Sequence, residues 1–171
     1  MRVIGCDYSS RFVDMVSVPY EGTGNPVWHR FPLTGMDAFD RARSVADSVP
    51  GRASSLWDDV LAVGIEHPGG KFGTGDMLRV QGAVLARIPA RMLVHPLPPA
   101  RWRKLVGLPG NASKEAVSVV ADNMRWDGQW VASADPHIDY EPLLPEWPQD
   151  ACDAYCIALA TRSLINTQAA A

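Results

Sequence analysis

Four acidic residues occupy positions where an acid is unfavourable unless something compensates it. Asp7 closes the apolar run Val3-Ile4-Gly5-Cys6, and Glu66 closes Val60-Leu61-Ala62-Val63-Gly64-Ile65. Asp150 and Asp153 stand three apart at the start of a helical stretch, so they project from one face. Each acid has an ordinary explanation on its own. Asp7 can initiate the Ser9-Ser10 turn, Glu66 can be a plain strand-end acid, and Asp153 can face solvent. Asp150 would gain about 0.3–1 kcal/mol at a helix N-terminus. Jointly, two strand-end acids and a helical pair make a carboxylate cluster, which repels itself unless divalent cations neutralise it. Mg²⁺ prefers oxygen ligands and keeps positions open for phosphate. The set therefore suits a metal site that handles phosphate.

The charge distribution points to the same kind of ligand. The net charge of −3 argues on its face against a nucleic-acid partner. However, Arg79, Arg87, Arg91, Arg101, Arg103, Lys104 and Lys114 fall in a stretch that contains no Asp or Glu. A globally acidic chain can still present a basic face, and the local field matters more to a polyanion than the net charge. The four histidines are scattered without zinc spacing. Cys6, Cys152 and Cys156 form no disulfide framework, and they read as small buried residues.

Elements that could position these residues follow from periodicity. Arg2 to Tyr8, Arg11 to Val18 and Val27 to Leu33 read as strands separated by the Ser9-Ser10 turn and the Gly22-Gly24-Asn25-Pro26 cluster, which makes an antiparallel meander. Met36 to Val49 fits a helix with Phe39, Ala42 and Val45 inward. Asp59 to Glu66 is a strand, and Asp76 to Ile88 is a helix with Met77, Val80, Val84 and Leu85 on one side. Arg91 to His95 is a short strand. Ser113 can cap a helix running to about Arg125 with Val117, Val120 and Met124 inward. Residues 126–149 read as a long loop with a short strand at Trp130-Val131. Asp150 to Asn166 is the last helix, with Ala154, Ile157, Ala158 and Leu164 inward. A meander followed by crossover units predicts an α/β fold with a mixed five-stranded sheet flanked by helices. The 171 residues suit one domain, 1–171, with one sizeable core. No apolar run reaches the length of a membrane helix, and the N-terminus reads as a strand rather than a signal peptide, so the expected location is the cytoplasm of a bacterial or phage-infected cell.

Ile4-Gly5-Cys6-Asp7 resembles the first motif of the RuvC family of Holliday-junction resolvases, within the RNase H-like superfamily. Gly64-Ile65-Glu66 resembles the second motif. Asp150-Ala151-Cys152-Asp153-Ala154, followed by Ile157-Ala158-Leu159-Ala160, resembles the last. Arg103 to Gly107 and Gly110 to Lys114 resemble the basic DNA-contacting segment, with Arg103 and Lys114 at the positions of two of its basic residues. The resemblance runs in order over nearly the whole chain. It implies an RNase H-like fold and paired hydrolysis of four-way DNA junctions to 5′-phosphate nicks. It also implies two Mg²⁺ per site, with Mn²⁺ able to substitute, and Asp7, Glu66, Asp150 and Asp153 as catalytic metal ligands. The implied DNA contacts are Arg103 and Lys114, to which the neighbouring Arg101 and Lys104 add basic field, and a homodimer would match the two-fold symmetry of the junction.

Two departures suit a divergent member, such as a phage-encoded one. The family's aromatic after the second acid is displaced by His67-Pro68-Gly69-Gly70, which leaves Phe72 as its candidate, and the 126–149 loop is long. Three competing readings are a broader branched-DNA or RuvX-like nuclease, an actin-like phosphotransferase, and a non-catalytic nucleic-acid-binding module. The missing second Gly-rich phosphate loop opposes the phosphotransferase. The four acids oppose the binding module, because bare carboxylates repel phosphate.

Overall fold

Arg2–Tyr8 alternates side chains to two covered faces and is buried along nearly its whole length, as a central strand must be. In the computed structural model, which describes residues 1–22, 24–68, 75–127 and 147–169, this strand (β1) sits in the middle of a five-stranded sheet. β2 (Phe12–Pro19) pairs antiparallel with β1, and β3 (Val27–Pro32) pairs antiparallel with β2. On the other side β4 (Val60–Glu66) and β5 (Leu93–Leu97) add in parallel, giving the order β3-β2-β1-β4-β5. The mixed sheet expected from the sequence is therefore present. β5 begins two residues later than expected. It carries Pro96, which an edge strand tolerates because one side of its ladder is open.

Helices cover both faces. α1 (Ala38–Ser48) and α2 (Gly75–Leu85) lie over one face, where Val45, Val80 and Val84 meet Ile4, Cys6, Met15 and Ile65. α3 (Pro99–Leu105), α4 (Lys114–Asp127) and α5 (Gln149–Ala169) lie over the other, where Trp102, Val117 and Ile157 meet Val3, Val16 and Ala62. Asp37 caps α1 by accepting from the amides of Phe39 and Asp40, and Ser113 accepts from Ala116 at the start of α4.

Packing corrects several local expectations. Phe39 is not inward: it is 64% exposed, with the Arg79 guanidinium 4.5 Å above its ring. On α2, Gln81 is buried and Leu85 is exposed, because the amide of Gln81 donates to the Glu66 carbonyl at 2.9 Å. Met124 lies at the margin of the core rather than inside it. α3 was not anticipated as a helix. Its N-terminal Pro99 is pre-set for a first turn, and its fully buried Trp102 anchors it. The long loop is shorter than expected at both ends, since α4 runs to Asp127 and α5 begins at Gln149. The strand expected at Trp130-Val131 lies outside the described residues. All three cysteines are buried, and none is in a disulfide.

α5 determines how the site is built. Residues 151–158 are all buried, the pattern of a helix enclosed on every side. It descends onto the sheet where β1 and β4 both carry glycine, Gly5 and Gly64, which are partners in the parallel register. A Cβ at Gly5 would overlap the Ala154 carbonyl oxygen and the Ala158 nitrogen, and one at Gly64 would overlap the Thr161 hydroxyl. The two glycines thus let the helix backbone rest directly on the strands.

Candidate active site

The face under α5 receives every second residue of β1, β2 and β4. On β1 these are Val3, Gly5 and Asp7, and on β4 they are Ala62, Gly64 and Glu66. The first turns of α5 bring Asp150 and Asp153 to the same end. The four acids that the sequence singled out therefore come within electrostatic range of one another. Asp7 is 7% exposed and Asp153 is 6% exposed, whereas Glu66 and Asp150 are half-buried. Burial pushes the Asp7 carboxyl well above the usual carboxylate range. The charges of Glu66, Asp153 and Asp150 push it further, and a hydrogen bond from the Tyr8 amide opposes them. Burial also raises Glu66 and Asp153, and each is partly relieved by a neutral hydrogen-bond donor.

Those donors come from residues that the sequence reading did not place in the site. Trp102 Nε1 donates to Glu66 Oε2 at 3.0 Å. Gln149 Nε2 donates to Asp153 Oδ1 at 2.8 Å, and its own amide oxygen accepts from Ser118 Oγ of α4 at 2.8 Å. A neutral donor orients a carboxylate without cancelling its charge, as a side chain supporting a ligand should. Trp102 lies 36 positions from Glu66, and Ser118 lies 31 from Gln149, so no local pattern announces either bond.

The basic segment divides in two. Arg103 and Lys114 lie close enough to Glu66 and Asp153 to lower the pKa of both carboxyls. Arg103 is half-buried, with its guanidinium 5.0 Å from the Trp102 ring and one nitrogen donating to the Gly110 carbonyl at 3.4 Å. Arg101 and Lys104 are exposed on α3. The charge of Arg101 is felt by His95 on β5, and Lys104 lies beside Gly110. Phe72 lies outside the described residues.

A fifth acid was missed. Asp14 on β2 stands directly opposite Asp7 in the antiparallel register and points to the same face, yet it is completely buried. It is neutralised: Arg30 of β3 grips it with two bonds, of 2.9 and 3.0 Å, and Trp28 Nε1 donates to it at 2.7 Å. Only the strand register reveals that Asp14 and Arg30 are partners.

Asp7, Glu66, Asp150 and Asp153 offer oxygen donors only, the chemistry of a hard divalent cation. Asp7 also has no cationic side chain bonded to it among the described residues. In donor type and charge the residues fit such an ion. Among the described residues, however, no three His, Cys, Asp or Glu side chains converge into one metal-binding group, so the acids form an open cluster.

This sheet order, with helices on both faces, is the RNase H-like fold in its RuvC-like form. The chain is similar to the solved structure of Thermus thermophilus RuvC, with a TM-score of 0.64 and 19% identity over 98% of this chain and 97% of that one. It is also similar to T. thermophilus RuvC in complex with Holliday junction substrate, with the same TM-score of 0.64 and 16% identity over 98% and 96% of the two chains. At such identities the likeness establishes the fold. No protein-family model matches the chain, and no curated protein matches its sequence.

Proposed function

We propose that this protein is a divalent-metal-dependent endonuclease that resolves four-way (Holliday) DNA junctions. The observation that carries the reading is the meeting of Asp7, Glu66, Asp150 and Asp153 at one end of α5, on a RuvC-like fold, with Arg103 and Lys114 beside them. Two Mg²⁺ or Mn²⁺ ions bound there would supply an activated water and stabilise the leaving 3′-oxygen of a phosphodiester.

The chain's own residues hold and balance that site. Asp7 sits at its centre on the most buried strand. Trp102 and Gln149 restrain Glu66 and Asp153 by donating a hydrogen bond to each. Arg103 and Lys114 offset the negative charge of the acids and draw in the DNA backbone, while the exposed Arg101 and Lys104 extend the basic field along α3. A homodimer would present two such sites to two opposed strands of a junction. Exposed apolar side chains support this arrangement: Leu78 and Leu85 on α2, Phe39 on α1 and Met36 just before α1. Light scattering of the free and junction-bound protein reads the oligomeric state, and monomer in both would remove the dimer from the proposal.

The decisive experiment incubates the protein with a synthetic mobile junction and Mg²⁺ and resolves the products on denaturing gels. Symmetric nicks are expected, lost in EDTA and in Asp7→Asn, Glu66→Gln, Asp150→Asn and Asp153→Asn, all of which retain junction binding. Robust cutting in EDTA would refute the mechanism. Equal cutting of three-way and flap DNA would replace junction resolution by general debranching.

A further inference from the structure

We infer that Arg30 is a second DNA-backbone contact, a braced phosphate receptor at the β3 margin of the acidic face; the inference rests on the nuclease reading above. Asp14 is 0% exposed while the Arg30 side chain is 28% exposed, so the ion pair has a dry end and a wet end. The dry end is saturated. Arg30 Nε and Nη2 take both carboxylate oxygens of Asp14, and Trp28 Nε1 takes one of them again.

The wet end is not saturated, since Arg30 Nη1 has no hydrogen-bond partner among the described residues. Phe12 and Trp28 hold the guanidinium, with their ring centroids 4.4 and 5.3 Å from its carbon. A planar cation held by a buried carboxylate and two rings has little freedom left to lose, and its free N–H groups match the geometry of a phosphate.

A purely structural ion pair would not need this arrangement. Buried ion pairs contribute little net stability over apolar replacements of similar volume. The position of this pair gives it a use. Register runs from Asp7 to Asp14 to Arg30 across three adjacent strands, so Arg30 lies two strand spacings from Asp7, about 9.6 Å along the sheet. A phosphate at Arg30 is therefore a neighbour of the phosphate at the acids, on the side of the site opposite Arg103 and Lys114. The backbone would be held on both flanks of the reacting group.

The test pairs a protein change with a single-phosphate change. Removing only one partner would leave a buried charge unpaired, so the variant is Asp14→Asn with Arg30→Gln, which keeps the shape and an acceptor for Trp28. Wild type and variant bind junctions that carry one uncharged methylphosphonate at each position around the cut, in Ca²⁺. One position flanking the cut should weaken wild-type binding about tenfold, the size of one charge-assisted hydrogen bond, and should have no effect in the variant.

Arg30→Lys, which keeps the charge and loses the fork, should retain part of that sensitivity. If the double variant does not fold, this second variant decides. Equal sensitivity of wild type and the folded variants at every position would reduce the pair to a structural role and overturn the inference. Failure of the wild type to bind any junction would instead overturn the nuclease reading, and this inference with it.

Discussion

Replacing Asp7 by Asn should make the metal-free protein more stable, although it should destroy the site. The Asp7 carboxyl is buried, feels the charges of three other acids, and among the described residues has only the Tyr8 amide to relieve it. An amide of the same shape removes a charge that burial and repulsion both disfavour. Leaving a buried polar group uncompensated costs about 1–3 kcal/mol, so a gain on that order is expected. For a chain of this size the gain corresponds to roughly 2–12 °C in Tm. The assay is thermal unfolding of wild type and Asp7→Asn at pH 8 in EDTA, then with Mg²⁺. At ten times its Kd the ion should stabilise wild type by RT ln 11, about 1.4 kcal/mol, and should leave the variant nearly unmoved. The reasoning fails if Asp7→Asn melts at or below wild type in EDTA, or if Mg²⁺ raises both equally. Neither outcome depends on the substrate.

Metal-free stability should fall as pH rises. Asp7, Glu66 and Asp153 all have raised carboxyl pKa values, so between the unfolded values near 4 and the higher folded ones the native state binds more protons than the unfolded state, and ΔG decreases with pH. Tm measured in EDTA from pH 4 to 8 should drop, less so in Asp7→Asn, and a steeper drop in the variant would contradict the assignment. Gly5→Ala should destabilise by about 1–3 kcal/mol, because the new methyl meets the α5 backbone at Ala154 and Ala158 and the helix must lift; urea unfolding within about 0.5 kcal/mol of wild type would show a looser contact. Arg103→Ala and Lys114→Ala should each lower the salt slope of junction binding by about 0.9 and weaken all junction sequences alike. Unchanged slopes in both would mean that DNA enters by another surface.

Much of the site was legible because its residues break a local rule. An acid that ends an apolar strand, as Asp7 and Glu66 do, stands out in a linear reading, and so does the Asp150–Asp153 spacing at a helix start. Most element types followed from the same local periods, which is why the mixed five-stranded sheet was anticipated, whereas the order of its strands came from the structure. Partners are another matter. A period says which residues share a face but not what covers that face, so Phe39 was placed inside although it is exposed, and Gln81 was overlooked although it is buried. Trp102 is a fully buried core anchor, and its indole N–H also holds Glu66 from 36 residues away. Asp14 read as one polar residue in an alternating strand. Only register set it opposite Asp7, and only the third strand supplied the Arg30 that makes its burial tolerable. The sequence by itself determined which side chains can carry charge and, α3 excepted, which described backbone segments are helix or strand, because both depend mostly on near neighbours. Tertiary structure alone decided which charges are compensated and which remain exposed to one another, because burial and pairing depend on residues distant in the chain.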